Sequence, residues 1–269
     1  DPANLTVVAE AGCILQTVQE HVEKSGYLFP LSLAAEGSCT LGGNLGTNAG
    51  GTQVVRYGNT RELCLGLEVV TAQGEIWHGL SGLRKDNTGY DLRNLMIGSE
   101  GTLGVITAAC MKIYPQPVAQ LTAWAAVPSM EAAVSLLGLA HERLSAGLTG
   151  FEVMGQLALS LVDKHFPQLR IPAWTDTPYA VLLEMSDTES AEHAQAQLEQ
   201  LLAERNAQLS EWQKQIVEAN SLVITAQTRP ERAQAEISGN QTRSQEINNI
   251  LKSGRDDNKP LTSERRDLL

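Results

Sequence analysis

The sequence predicts an α+β fold, and three observations carry that expectation. Strand-type and helix-type segments follow one another up to about Glu204, glycine concentrates in one stretch near the start, and the chain turns polar from Arg205 onward. Leu5–Ala9 reads as a strand, and Leu15, Val18 and Val22 recur at helical spacing within a helix over Leu15–Ser25, which Gly26 caps. Ser38 to Gly51 holds glycine at five of fourteen positions and is expected to be a loop that enters a short helix at Leu45–Asn48. Cys64–Thr71 alternates as a strand, Gln73-Gly74 turns, and Glu75–His78 returns as its hairpin partner. Met96–Ile97 and Leu103–Tyr114 add strand, after which Pro115 and Pro117 break the run.

A second unit begins at about Ala119. Leu121–Val127 is a strand, Ser129 caps a helix over Met130–Ser145, and Gly150–Met154 is again a strand. Helix Gln156–His165, strand Tyr179–Met185 and helix Ala191–Glu204 follow, a pattern expected to give a ferredoxin-like two-layer sandwich. Glu152, on one of these strands, reads as the solvent face of an alternating strand rather than as a base. From Arg205 the character changes: 10 basic and 22 acidic residues lie before it, against 10 and 9 from it onward, and only Gly239 and Gly254 of the glycines. Gln and Asn are common there, and the apolar residues are too sparse for a heptad, as in Gln241–Lys252 with Ile247, Ile250 and Leu251. This stretch is expected to be a helical or weakly packed tail, or a segment of separate origin such as a splice or frame change.

Composition narrows the function classes. A net charge of −11 over 269 residues argues against nucleic acid as a partner, because a phosphate backbone needs clustered Lys and Arg. No apolar run is long enough for a membrane-spanning helix. Cys13, Cys39, Cys64 and Cys110 stand far apart, which fits reduced thiols and a cytoplasmic setting better than a disulfide framework. The five histidines, His21, His78, His141, His165 and His193, stand singly, so no metal site and no catalytic residue is assigned.

The glycine-dense stretch points to a ligand. Glycines let bare backbone amides converge on an anion, and Ser38, Thr40, Asn44, Thr47 and Asn48 add hydrogen bonds without filling space. The spacing Gly42-Gly43-x-x-Gly46-x-x-x-Gly50-Gly51 matches neither the ATPase phosphate loop nor Gly-x-Gly-x-x-Gly. Arg56-Tyr57-Gly58-Asn59, Lys85-Asp86-Asn87-Thr88-Gly89-Tyr90-Asp91-Leu92 and Gly98-Ser99-Glu100-Gly101-Thr102-Leu103-Gly104-Val105-Ile106-Thr107 follow in that order.

Together, over roughly Asp1 to Glu204, these segments resemble the PCMH-type FAD-binding domain of the vanillyl-alcohol-oxidase flavoproteins. Within that family they are most similar to FAD-linked D-2-hydroxy-acid dehydrogenases: D-2-hydroxyglutarate dehydrogenase-like proteins, with D-lactate dehydrogenase and glycolate oxidase flavin subunits as neighbours. The resemblance implies FAD as cofactor, with flavin contacts at Ser38, Cys39, Gly42, Gly43, Asn44, Thr47, Asn48, Gly50 and Gly51. It implies an adenosine-side cluster at Gly98, Glu100, Gly101, Gly104, Val105 and Ile106. Read from the residues alone, Cys39 also fits a small buried hydrophobe and Glu100 a surface carboxylate after a turn.

By the same resemblance, residues 1–117 form the second subdomain of the FAD-binding domain, an earlier subdomain being missing. Residues 118–204 form part of the ferredoxin-like substrate cap, and 205–269 a tail that does not match. The implied reaction takes a hydride from C2 of a D-2-hydroxy acid to flavin, with an acceptor protein or a quinone reoxidising it. In the family, cap Arg and Lys hold the substrate carboxylate, and later His and Glu residues bind a divalent metal; no such motif occurs here. The chain therefore reads as truncated, with weak flavin binding expected of it alone. The alternative is a non-catalytic remnant whose helical tail serves association, for which a homo-oligomer is expected.

Overall fold

The structure is a computed structural model that describes residues 1–172 and 175–256. Residues 1–205 form one compact unit, and the chain from Asn206 belongs to a second. In the first unit, β1 (Thr6–Glu10), β3 (Cys64–Thr71), β4 (Ile76–Gly79) and β5 (Gly104–Lys112) make a four-stranded antiparallel sheet in the order β1-β5-β3-β4. β2 (Tyr27–Leu28) and β6 (Tyr114–Pro115) pair separately. The helices of this half are α1 (Leu15–Glu23), α2 (Leu41–Gly46), α3 (Val54–Tyr57), α4 (Thr60–Leu63) and α5 (Leu92–Met96).

The alternation of β3 and the helical spacing of α1 meet in one core. Leu15, Val18 and Val22 from α1 and Leu41 and Leu45 from α2 bury against Leu67, Val69, Ala109 and Met111 of β3 and β5. With few aromatic residues in the chain, this core is built mainly from Leu, Val and Ile, with Phe29, Cys64, Ala109 and Met111 among them.

The chain then passes to a three-stranded antiparallel sheet of β7 (Ala119–Val127), β8 (Leu148–Gly155) and β9 (Tyr179–Asp187), ordered β7-β9-β8. Its helices are α6 (Met130–Leu144), α7 (Gln156–His165) and α8 (Ala191–Asp256). Leu139, Ala140 and Leu144 of α6 and Ala194, Leu198 and Leu201 of α8 share a core with Leu148, Leu183 and Met185. Two helices therefore cover one face of an antiparallel sheet, the α+β two-layer arrangement expected. Ser129 caps α6 by accepting from the Ala132 amide at 3.2 Å. Glu152 is exposed, as an outward strand position should be.

Two expected elements differ. The short helix in the glycine stretch covers Leu41–Gly46 rather than Leu45–Asn48, because Thr40 Oγ1 accepts from the Gly43 amide at 3.2 Å and both Leu41 and Leu45 are buried one turn apart. Met96–Ile97 is not a strand: Asp91 caps α5 through the Asn94 amide, and Ile97 is the buried residue just past its end.

The tail is helical, since α8 continues past Glu204 to Asp256 without a break in the element. Val217 and Ile247 on it are exposed. The side chains of Ile250 and Leu251, and all of 257–269, lie outside the described residues.

The start of α8 is held by a charged clasp. Strand alternation along β9 puts Val181, Leu183, Met185 and Asp187 on the buried face, so the strand ends with a carboxylate only 7% exposed. Asp187 accepts from the Glu189 and Ser190 amides at 2.6 and 3.2 Å and meets His193 Nδ1 at 2.7 Å. The Glu189 amide, with the His193 bond behind it, holds the Asp187 carboxyl below its ordinary range. The bond to Asp187 raises His193. By linkage, the Asp187 contribution is present above about pH 4 and is lost as pH falls through its lowered folded value. The His193 contribution is present below about pH 6.5 and is lost as pH rises through its raised folded value. Thermal melting should therefore weaken between pH 6 and pH 9 in the native sequence and lose that component in His193→Asn; an identical slope in both would remove the clasp from the account.

Candidate functional site

A groove of about 360 Å³ opens between the glycine stretch and the segment that leads into β5. Gly42 and Gly43 of α2 form one wall, Gly101, Gly104, Val105 and Ile106 another, with Gly46 and Ser99 where the two meet. The sequence places these segments about fifty residues apart; backbone hydrogen bonds bring them together. The Gly98 amide donates to the Leu45 carbonyl at 3.0 Å and the Glu100 amide to the Gly46 carbonyl at 2.9 Å. The loop thus satisfies the Gly46 carbonyl and gives the Leu45 carbonyl a further donor beside the Asn48 amide at 3.1 Å. Making that turn takes positive φ at three of four residues, Gly98 (82°), Glu100 (52°) and Gly101 (76°). Glu100 is the non-glycine among them and pays a conformational cost of about 1 kcal/mol.

Arg61 ties the arrangement from behind. Its guanidinium donates to the Asn94 carbonyl at 2.6 Å, to Asn94 Oδ1 at 3.1 Å and to the Ile97 carbonyl at 2.5 Å. Its amide donates to Asn48 Oδ1 at 3.0 Å. Asn48 itself sits at φ 49°, a left-handed position Asn tolerates.

Of the residues expected to touch cofactor, Gly42, Gly43, Gly101, Gly104, Val105 and Ile106 line the groove. The others do not line it. Ser38 is exposed and donates to the Ala35 carbonyl; Cys39 is half-buried against the first core. Thr47 Oγ1 donates back to the Gly43 carbonyl. Asn44 is buried at 3% exposure, with its Nδ2 unpartnered among the described residues. Gly50 and Gly51 have packing reasons to be glycine: a Cβ on Gly50 would lie 2.3 Å from Asn59 Oδ1, and one on Gly51 1.6 Å from the Ser32 carbonyl oxygen. Ala11, Gly12, Thr40, Gly46 and Ser99 line the groove without having been expected there. Gly46 and Thr40 were legible as parts of the glycine stretch; Ala11 and Gly12 come from the turn after β1, which only the sheet register brings alongside.

The groove suits a flat or phosphate-bearing ligand on one observation. Cβ atoms built on Gly12, Gly46 and Gly101 meet nothing within 4 Å, so these glycines face open space rather than packed neighbours. Backbone can approach a ligand there without side chains intervening. The residues present therefore fit a segment of FAD.

A second groove of about 400 Å³ lies between Trp77 and Gly79 of the hairpin and the 81–93 loop, which carries the Lys85–Leu92 motif. Tyr90 in that loop is 96% exposed. Among the described residues, no group of three His, Cys, Asp or Glu gathers as a metal site, and no helix is long and apolar enough to cross a membrane. His78, exposed on β4, meets Glu68 at 3.0 Å. All four cysteines are free thiols, and burial pushes Cys64 up to about 12, so it is inert at neutral pH.

Comparison with known proteins gives two family matches and a set of relatives. Residues 1–79 match the family described as FAD binding domain, and residues 180–269 match one described as mechanosensitive ion channel porin domain. Mitochondrial D-2-hydroxyglutarate dehydrogenase of Bos taurus is 42% identical over 73% of this chain and 36% of its own length. D-2-hydroxyglutarate dehydrogenase of Xanthomonas citri pv. viticola is 38% identical over 71% of this chain and 40% of its length. An alkyldihydroxyacetonephosphate synthase structure superposes with a TM-score of 0.60 at 21% identity, covering 76% of this chain and 39% of that one, and so shares the fold. The chain thus spans little more than a third of the length of the curated relatives it matches.

Two substitutions separate glycines that pack from glycines that face the groove. Gly51→Ala should lower stability in urea unfolding by about 3 kcal/mol or more, since its Cβ has no room. Gly46→Ala should change it by less than about 1 kcal/mol. Equal losses in both would refute the division.

Proposed function

We propose that this chain, which belongs to the FAD-linked oxidase family, serves in FAD-dependent oxidation of a D-2-hydroxy acid to the 2-oxo acid. The open glycine face of the groove is the observation that carries this reading. The names of the dehydrogenases it is similar to support the substrate class. In this reading residues 1–117 are the flavin part, 118–204 part of the substrate cap, and 205–269 a tail.

FAD, when bound, supplies the two-electron acceptor for the hydride leaving C2 as the substrate hydroxyl loses its proton. The chain's own share is binding and orientation. Gly42, Gly43, Gly46 and Gly101 would let the backbone approach the cofactor without side chains between, and Val105 and Ile106 would give an apolar wall to a ring. Ser38, Cys39, Asn44, Thr47, Asn48, Gly50, Gly51, Gly98 and Glu100 would act from around the groove. An acceptor protein or quinone would reoxidise the flavin. The free thiols suit a reducing compartment, and a cytoplasmic one is part of the proposal; the Bos taurus relative is named mitochondrial and the Xanthomonas one is not.

A second reading rests on the match of residues 180–269 to the porin domain and on α8 running as one helix to Asp256. Under it the tail associates with a second helix, and the flavin part is a non-catalytic remnant.

Flavin titration decides between them. The first reading expects saturable, weak FAD uptake by the 269-residue chain, reduced at least about tenfold in Gly46→Val, whose side chain would enter the groove, while melting changes little. A protein that stays colourless in excess FAD, with a mass in solution above the monomer's, would favour the second.

A further inference from the structure

A pocket of about 210 Å³, which shares no lining residue with the glycine groove, gathers Arg61, Arg93 and Lys112 with Glu62, Cys64 and Asn94. We propose that it is a binding site for a compact phosphate-type oxyanion, held by these three cations.

The geometry supports this in three ways. First, the cations are held in place by backbone carbonyls, contacts that fix their positions without cancelling their charge: Arg61 on Asn94 and Ile97, Arg93 Nη1 on Cys64 at 2.6 Å, and Lys112 Nζ on Glu62. Among the described residues neither Arg61 nor Lys112 pairs with a carboxylate; only Arg93 does, through Nη2 to Asp91 at 2.7 Å. Secondly, Arg93 Nε is buried with no hydrogen-bond partner among the described residues, an unmet donor of a kind that folded proteins rarely leave. Thirdly, the spot is locally cationic in a chain of net charge −11, an excess of positive charge that a bound anion would offset.

The charge inventory facing the pocket is compatible with an anion. Glu62 is the lining carboxylate, and its side chain packs against Gly58, where a Cβ would meet Glu62 Cβ and Cγ at 2.7 and 2.6 Å. The buried Cys64 thiol is neutral at physiological pH. Burial, with the charges of Arg84 and Arg93 nearby, holds Lys112 below its ordinary value, the direction expected where positive charges crowd without a counter-ion. Arg61 and Arg93 supply planar donor sets and Lys112 a point charge, the usual mixture at phosphate sites. An oxyanion here would brace α5 against the start of β3 and the end of β5.

The test is titration of the 269-residue chain by calorimetry and 31P line broadening, with inorganic phosphate and glycerol phosphate in separate arms and ionic strength held with chloride. One-site saturable binding is expected, weakened about tenfold or more in Lys112→Gln and tightened in Glu62→Gln, which removes the one lining carboxylate. Circular dichroism and melting check that each variant folds. Tighter binding in either arm supports the site and tells whether the free ion or an ester is its occupant. No saturable binding in either arm, or equal affinity in all three proteins, would overturn it.

Discussion

The docking of residues 98–101 on the carbonyl end of α2 is the contact on which the rest of the molecule's functional half depends. Two amide-to-carbonyl bonds, Gly98 to Leu45 and Glu100 to Gly46, join a glycine-dense helix to the entry of β5. Each bond alone contributes about 1 kcal/mol net. Their larger effect is geometric, because without them the two glycine clusters would be separate loops on one sheet and no groove would lie between. The price is positive φ at Glu100, offset by satisfying the Gly46 carbonyl at the helix end.

Arg61 makes that docking a shared property of three elements. It belongs to α4, yet its guanidinium holds Asn94 and Ile97 and its amide holds Asn48. A charged side chain is spending its donors on carbonyls, where bonds are directional and tolerate no competing carboxylate. Ile97 then locks below, buried in the same core as Leu41 and Leu45. Core packing and groove shape are therefore coupled through one short segment, and the cationic pocket beside Arg61 sits on the same coupling.

Much of the fold was legible because its signals are local. The spacing of Leu15, Val18 and Val22 gives α1 as found; Ser129 starts α6 as expected; the bounds of β3 and α7 agree with those read from alternation and helical pattern. The misread helix at 45–48 shows where that logic ends. Glycine lowers helix propensity, but Leu41 and Leu45 reach the sheet core, and burial outweighs a propensity deficit of about 1 kcal/mol per glycine. Met96–Ile97 failed for a similar reason: two apolar residues in a row are too few to separate a strand from the end of a capped helix.

Six of the fifteen expected cofactor residues line the groove, and the remaining nine do not. The glycine-dense composition, the order of the motifs, the FAD-linked lineage and the change of character at Arg205 were determined by sequence alone, since each is a property of neighbours along the chain. Which glycines face open space and which are required because a Cβ would lie 1.6 Å from a carbonyl oxygen was decided only by tertiary structure. So were the contribution of Ala11 and Gly12 to the groove wall and the meeting of Arg61, Arg93 and Lys112. Such facts depend on strand register and on hydrogen bonds between segments tens of residues apart, and no one-dimensional pattern encodes a distance of that kind.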